Sequence, residues 1–73
     1  MVFDEKIRDS AMRLGEVFRE KPWFLSVGLS EERGHPVFII YLRSTPGPER
    51  DSIPKRWDGF PVRTERIGKL RLA

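Results

Sequence analysis

The sequence predicts an α+β fold: an N-terminal amphipathic helix packed on a three-stranded mixed sheet, in the order α–β–β–(short α or loop)–β. Three observations predict it. A helical stripe of apolar residues opens the chain, two strand-like runs follow across a glycine-containing turn, and a third strand lies beyond a proline-rich crossover. With 73 residues, the chain suffices for one domain, 1–73, and is too short for two.

The helix is expected over residues 3–20. Phe3, Ile7, Ala11, Leu14 and Phe18 recur every three or four positions, which places them on one stripe. Asp4 and Glu5 near its start, and Arg19 and Lys21 near its end, suit the helix dipole. Pro22 stops it, because the residue before a proline is pushed out of the α region. Gly15 weakens the helix by about 1 kcal/mol relative to alanine and suggests close approach to the sheet.

Strand one is expected over 23–29, where Trp23, Leu25, Val27 and Leu29 alternate with Phe24, Ser26, Gly28 and Ser30. The polar stretch Ser30 to His35 forms the turn, with Gly34 suited to a positive φ. Strand two, 36–43, contains Val37 to Leu42, which is apolar on both faces and reads as the central strand. The first two strands should be antiparallel. The helix covers one sheet face, and Phe24, Phe38 and Ile40 are expected on the less covered one, a candidate interaction face.

Residues 44–59 read as irregular, punctuated by Pro46, Gly47, Pro48 and Pro54, with Pro48 able to open a short helix. This link is long enough to make strands two and three parallel. Asp58-Gly59 marks a tight turn. Strand three follows over 60–67, and Pro61 argues for an edge position or a strand start. Lys69 to Leu72 alternates and suggests one more short strand or a frayed end.

The composition excludes much chemistry. Without cysteine there is no disulfide, thiolate metal site or thiol nucleophile. The single histidine, His35, sits in a predicted turn beside Glu31 and Glu32, without a positioned nucleophile, so it reads as a solvated turn residue. One histidine cannot found a His/Cys metal cluster, and no phosphate-binding glycine loop is present. No catalytic residue, metal, cofactor or small-molecule substrate is expected. No apolar run is long enough to cross a membrane, and the start of the chain lacks the pattern of a signal peptide, so a cytoplasmic location without membrane partners is expected.

The net charge of +3 is uneven. Residues 1–21 balance five basic against five acidic side chains, whereas residues 55–73 carry six basic and two acidic. Lys55, Arg56 and Trp57 with Arg63, Arg66, Lys69 and Arg71 therefore form a candidate nucleic-acid contact, cations tracking phosphates while an aromatic ring stacks on a base. The bland reading of the same residues is a core plug, Trp57, and a solvated edge strand whose charges block aggregation.

Val27-Gly28-Leu29, the run from Gly34 to Leu42, the run Ile53-Pro54-Lys55-Arg56-Trp57-Asp58-Gly59-Phe60-Pro61-Val62-Arg63-Thr64-Glu65, and Gly68 together carry a family resemblance. This pattern, covering residues 23–68, resembles the small module that precedes the protease domain in some bacterial trypsin-like serine peptidases. There a "VGxG…G.P.IVVYV" hairpin is followed by "LP…GVPV.VE..G". These glycines, prolines and β-branched residues specify turns and strands. The Ser-His-Asp domain is absent from this sequence, so no catalytic residue carries over. The resemblance implies an accessory module of bacterial origin. The expected function is thus a non-catalytic protein-interaction or self-association domain, with a protein partner or a second copy in a homodimer, and nucleic-acid binding is the alternative.

Overall fold

The computed structural model describes residues 4–67. Helix α1 spans Glu5–Phe18, capped by Asp4, whose carboxylate accepts the Ile7 N–H at 2.9 Å. It ends four residues before Pro22, because the chain reverses earlier: Lys21 N–H donates to Phe18 O at 2.9 Å and Phe24 N–H to Lys21 O at 3.1 Å. Those turns tuck Trp23 against Phe18, ring centroids 5.4 Å apart. Phe3, the first residue of the predicted stripe, lies outside the described residues.

Strand β1 spans Phe24–Glu32 and β2 spans His35–Leu42, antiparallel as expected and both starting or ending within a few residues of the expected bounds. The turn is tighter than the polar stretch suggests. Arg33 and Gly34 alone make it, with φ of 53° and 81°, the double positive-φ geometry whose twist matches a two-residue hairpin. Trp23 precedes β1 rather than opening it, although its carbonyl accepts from Arg43 at 2.9 Å. A bulge between Phe24 and Ser26 shifts the register at Leu25.

The crossover carries a short 3-10 helix, Gly47–Ser52, with Pro48 in its first turn. It then makes strand β3, Arg56–Trp57, which turns through Asp58 and Gly59 (φ 49° and 84°) into β4, Phe60–Arg66. Among the described residues the sheet therefore has four strands, not three, in the order β1-β2-β4-β3. β2 and β4 run parallel, from Phe38 opposite Val62 to Leu42 opposite Arg66. Pro61 points to an edge position or a strand start: it is the second residue of β4, at the strand start, although β4 lies between β2 and β3. Pro61 does no harm there because it precedes the parallel ladder and pairs across to Arg56 of β3.

α1 lies over the face carrying Phe38, Ile40 and Leu42. These side chains, with Ala11, Leu14, Phe18, Trp23 and Val62, form the buried core, and Val27, Leu29 and Phe60 pack against it. Phe38 and Ile40 are completely buried, and Phe24 is half-buried, 6.4 Å from the Phe18 ring. This corrects the expected interaction face: Phe24, Phe38 and Ile40 belong to the face that α1 covers. A strand apolar on both sides does not reveal which side a helix will choose. The face that α1 leaves uncovered carries Val37, itself fully buried, with Ile39 and Tyr41 of β2, flanked by Ser26, Gly28 and Ser30 of β1 and by Arg63 and Glu65 of β4.

Candidate interaction surfaces

The strand alternation that builds the sheet also divides the C-terminal cations. Arg63 lies on the uncovered face, where its guanidinium meets the Glu32 carboxylate at 2.8 and 3.2 Å. Register places Val37 between the two partners on the same face, so the pair straddles β2 and ties β1 to β4. The Arg63 hydrogen bond holds the Glu32 carboxyl below the ordinary glutamate range, and Glu32 in turn raises the Arg63 pKa. Arg56 donates to Gly59 O at 2.5 Å and braces its own turn. Trp57 is half-buried, and its indole N–H donates to Ser10 O of α1 at 3.0 Å. Asp58 completes that junction, accepting from the Ser10 hydroxyl and pairing with Arg13 at 3.0 Å. Trp57 thus ties the β3–β4 turn to α1 and packs against the core. Lys69 and Arg71 lie outside the described residues. Of the candidate nucleic-acid residues, Arg56 and Arg63 line one cavity beside Arg33 and His35, and Lys55 and Arg66 share another surface.

That surface is a groove of about 560 Å³ on the helix side of the sheet, where the crossover splays away from β4. Leu42, Val62, Ile53, Pro46 and Pro54 supply its apolar lining; Thr45 and Thr64 add hydroxyls; Arg50, Lys55 and Arg66 bring positive charge against Asp51. All three cations are exposed, and none has an ion-pair partner among the described residues. Sequence reasoning missed Thr45, Arg50 and Thr64, because the path of the crossover over β4 leaves no local pattern.

Backbone geometry adds to the groove. Val62 N–H donates to Lys55 O at 3.0 Å, whereas Ile67 N–H donates to Leu42 O of β2 at 2.9 Å. Backbone groups alternate along a strand. Thr64 and Arg66, in phase with Val62, therefore turn their N–H and C=O groups away from β2. β3 pairs only with Phe60 and Pro61, so those groups meet no strand among the described residues.

At the opposite side of the sheet, β1 is a nine-residue lateral strand paired on one side only among the described residues. Beside it, α1 and β1 enclose a shallower groove of about 310 Å³, lined by Ala11, Met12, Gly15, Glu16, Arg19, Phe24, Ser26 and Val27. A Cβ at Gly15 would sit 3.7 Å from Val27, an ordinary contact, so the helix does not need glycine to approach the sheet. Met12 is 69% exposed and Leu25 41%, large apolar side chains left in water along this edge.

Near the turn after α1, the Lys21 ammonium meets Glu49 at 2.5 Å and, by that hydrogen bond, holds the Glu49 carboxyl below the usual range. Trp23 Nε1 is buried without a partner in hydrogen-bond geometry and favours the ionised Glu49 only slightly. His35 is exposed and makes no side-chain hydrogen bond to a nucleophile or carboxylate among the described residues. No cluster of three potential metal-ligating His, Cys, Asp or Glu side chains occurs among them either, and no described helix is long and apolar enough to cross a membrane. Comparison with protein-family models, curated proteins and solved structures finds nothing that matches this chain, so its geometry alone carries the functional argument.

Proposed function

We propose that the protein is a non-catalytic interaction module that self-associates through the β1 edge. The observation that carries this reading is the coincidence of a long one-sided strand with exposed Met12 and Leu25 and the α1–β1 groove. An edge strand offers a row of backbone donors and acceptors to another chain, and apolar side chains beside it supply the burial that hydrogen bonds do not.

A second copy fits this edge by symmetry. Gly28 is the midpoint of Phe24–Glu32, so antiparallel pairing of β1 with its twofold copy sets small residues against each other, Ser26 opposite Ser30. The same pairing brings Glu31 and Glu32 of one copy to the Phe24 end of the other, where Arg19 lines the groove. Such self-complementarity is the signature of an isologous interface. The alternative of nucleic-acid binding by the C-terminal cations draws less support, since Arg63 and Arg56 are engaged elsewhere and Trp57 is bonded to α1.

Sedimentation velocity across a wide concentration range tests the proposal. A concentration-dependent shift from monomer to dimer is expected, and the exposed-site variants Met12→Glu and Leu25→Lys should remain monomeric while keeping the native circular dichroism. A wild-type chain that stays monomeric at high micromolar concentration overturns it.

A further inference from the structure

We propose that the groove between the crossover and β4 captures an acidic, extended segment of a partner protein, which adds as a strand to the outer edge of β4 at Thr64 and Arg66. The site lies on the opposite side of the sheet from β1, so the inference does not rest on self-association.

Three features converge there. Thr64 and Arg66 present N–H and C=O groups in one direction that meet no backbone partner among the described residues, the requirement for strand addition. The ladder of β3 stops short of them, so an incoming strand meets no existing one among the described residues. An apolar floor of Leu42, Val62 and Ile53 lies beside that edge, suited to alternate apolar side chains of an extended chain. The rim then selects charge. Arg50, Lys55 and Arg66 outnumber Asp51, and the cations are uncommitted to ion pairs within the described residues. Arginine favours carboxylates because its planar fork matches their two oxygens. An extended peptide alternating Glu with Val or Ile meets both demands at once, with apolar side chains on the floor and carboxylates toward the rim. A nucleic-acid strand would satisfy the cations but would leave the outward amides and carbonyls of Thr64 and Arg66 without a matching partner ladder.

Fluorescence anisotropy with a labelled Glu-Val-Glu-Val-Glu-Ile-Glu peptide tests this, run on the full chain and on the Met12→Glu, Leu25→Lys chain. Binding that weakens with salt is expected on both. Arg66→Gln or Lys55→Gln should each weaken it by roughly twofold to fivefold, the scale of an exposed ion pair. The matched Gln-Val peptide should bind more weakly. Hydrogen exchange supplies the main-chain readout: the Thr64 and Arg66 amides should gain protection on binding, while those of Arg63 and Glu65 should not change. The proposal is overturned by an acidic peptide that does not bind, by equal binding of the Gln-Val peptide, by unchanged exchange at Thr64 and Arg66, or by stronger binding of an oligothymidylate than of the peptide.

Discussion

Gly28 and Tyr41 show how a single missing side chain shapes the uncovered sheet face. A Cβ on Gly28 would lie 2.6 Å from the Tyr41 ring, so the ring occupies the space above the glycine. This is the aromatic cover that compensates a glycine within a strand. Gly28→Ala should therefore lower stability by about 1 kcal/mol, the cost of pushing a ring off its preferred rotamer. In a Tyr41→Thr background the same change should be neutral or stabilising, because the obstacle is gone. Denaturant unfolding of the four proteins in this cycle measures the coupling; additive effects would show that the ring simply swings aside. The contact was not legible in the sequence, because Gly28 faces Ile39 in the ladder and touches Tyr41 only on the diagonal. The positive-φ residues were partly legible: Gly34 and the Asp58-Gly59 pair announce turns, whereas Arg33 shows no such signal.

Among the elements, two ion pairs join segments distant in sequence. Glu32–Arg63 ties β1 to β4, and Lys21–Glu49 ties the turn after α1 to the 3-10 helix. Both carboxyls are held below the ordinary glutamate range, chiefly by hydrogen bonds from their cationic partners. A carboxyl whose folded pKa lies below its unfolded one stabilises the fold above the unfolded value, and that contribution disappears as pH falls through the folded value. Stability should accordingly be level from neutral pH down to the ordinary glutamate range and decline below it. Glu32→Gln with Glu49→Gln should flatten that decline, as read from urea midpoints against pH. Because both pairs are exposed, the effect should be small and should shrink in salt. α1 and β1 could be read from periodicity, since each offers many residues to a repeating pattern, and β2 from its unbroken apolar run. β3 could not: two residues, Arg56 and Trp57, make no period. Pro61 marked the start of β4 but left its place in the sheet open, because a proline signals an absent donor and not the side on which that donor is missing.

For the molecule as a whole, the dimensions of 33 × 31 × 20 Å describe a plate. Its thin axis matches one helix layer on one sheet layer, each about 10 Å thick. A two-layer domain of this size has one core and little reserve, with stability of roughly 3–5 kcal/mol. Phe38 is fully buried at its centre, edge-on to Phe60 at a centroid distance of 6.0 Å. Phe38→Ala should cost about 3–5 kcal/mol, enough to leave the chain substantially unfolded at room temperature. Loss of near-ultraviolet dichroism and of dispersed amide resonances would register it, and a cooperative transition at the wild-type midpoint would contradict it. The candidate surfaces were less legible than this core. Charge counts found Lys55 and Arg66, but their partner Arg50 and the open backbone edge depend on where a seventeen-residue excursion between β2 and β4 (43–59) happens to travel. That excursion also orders assembly in time. β4 is the last described strand to be synthesised, yet it is seated between two earlier ones. Until it emerges, β2 has a bare flank and β3 has no neighbour, so a nascent chain halted at Gly59 presents the sticky side of an incomplete sheet. A chain truncated after Gly59 should therefore aggregate where the full chain does not, as light scattering would register.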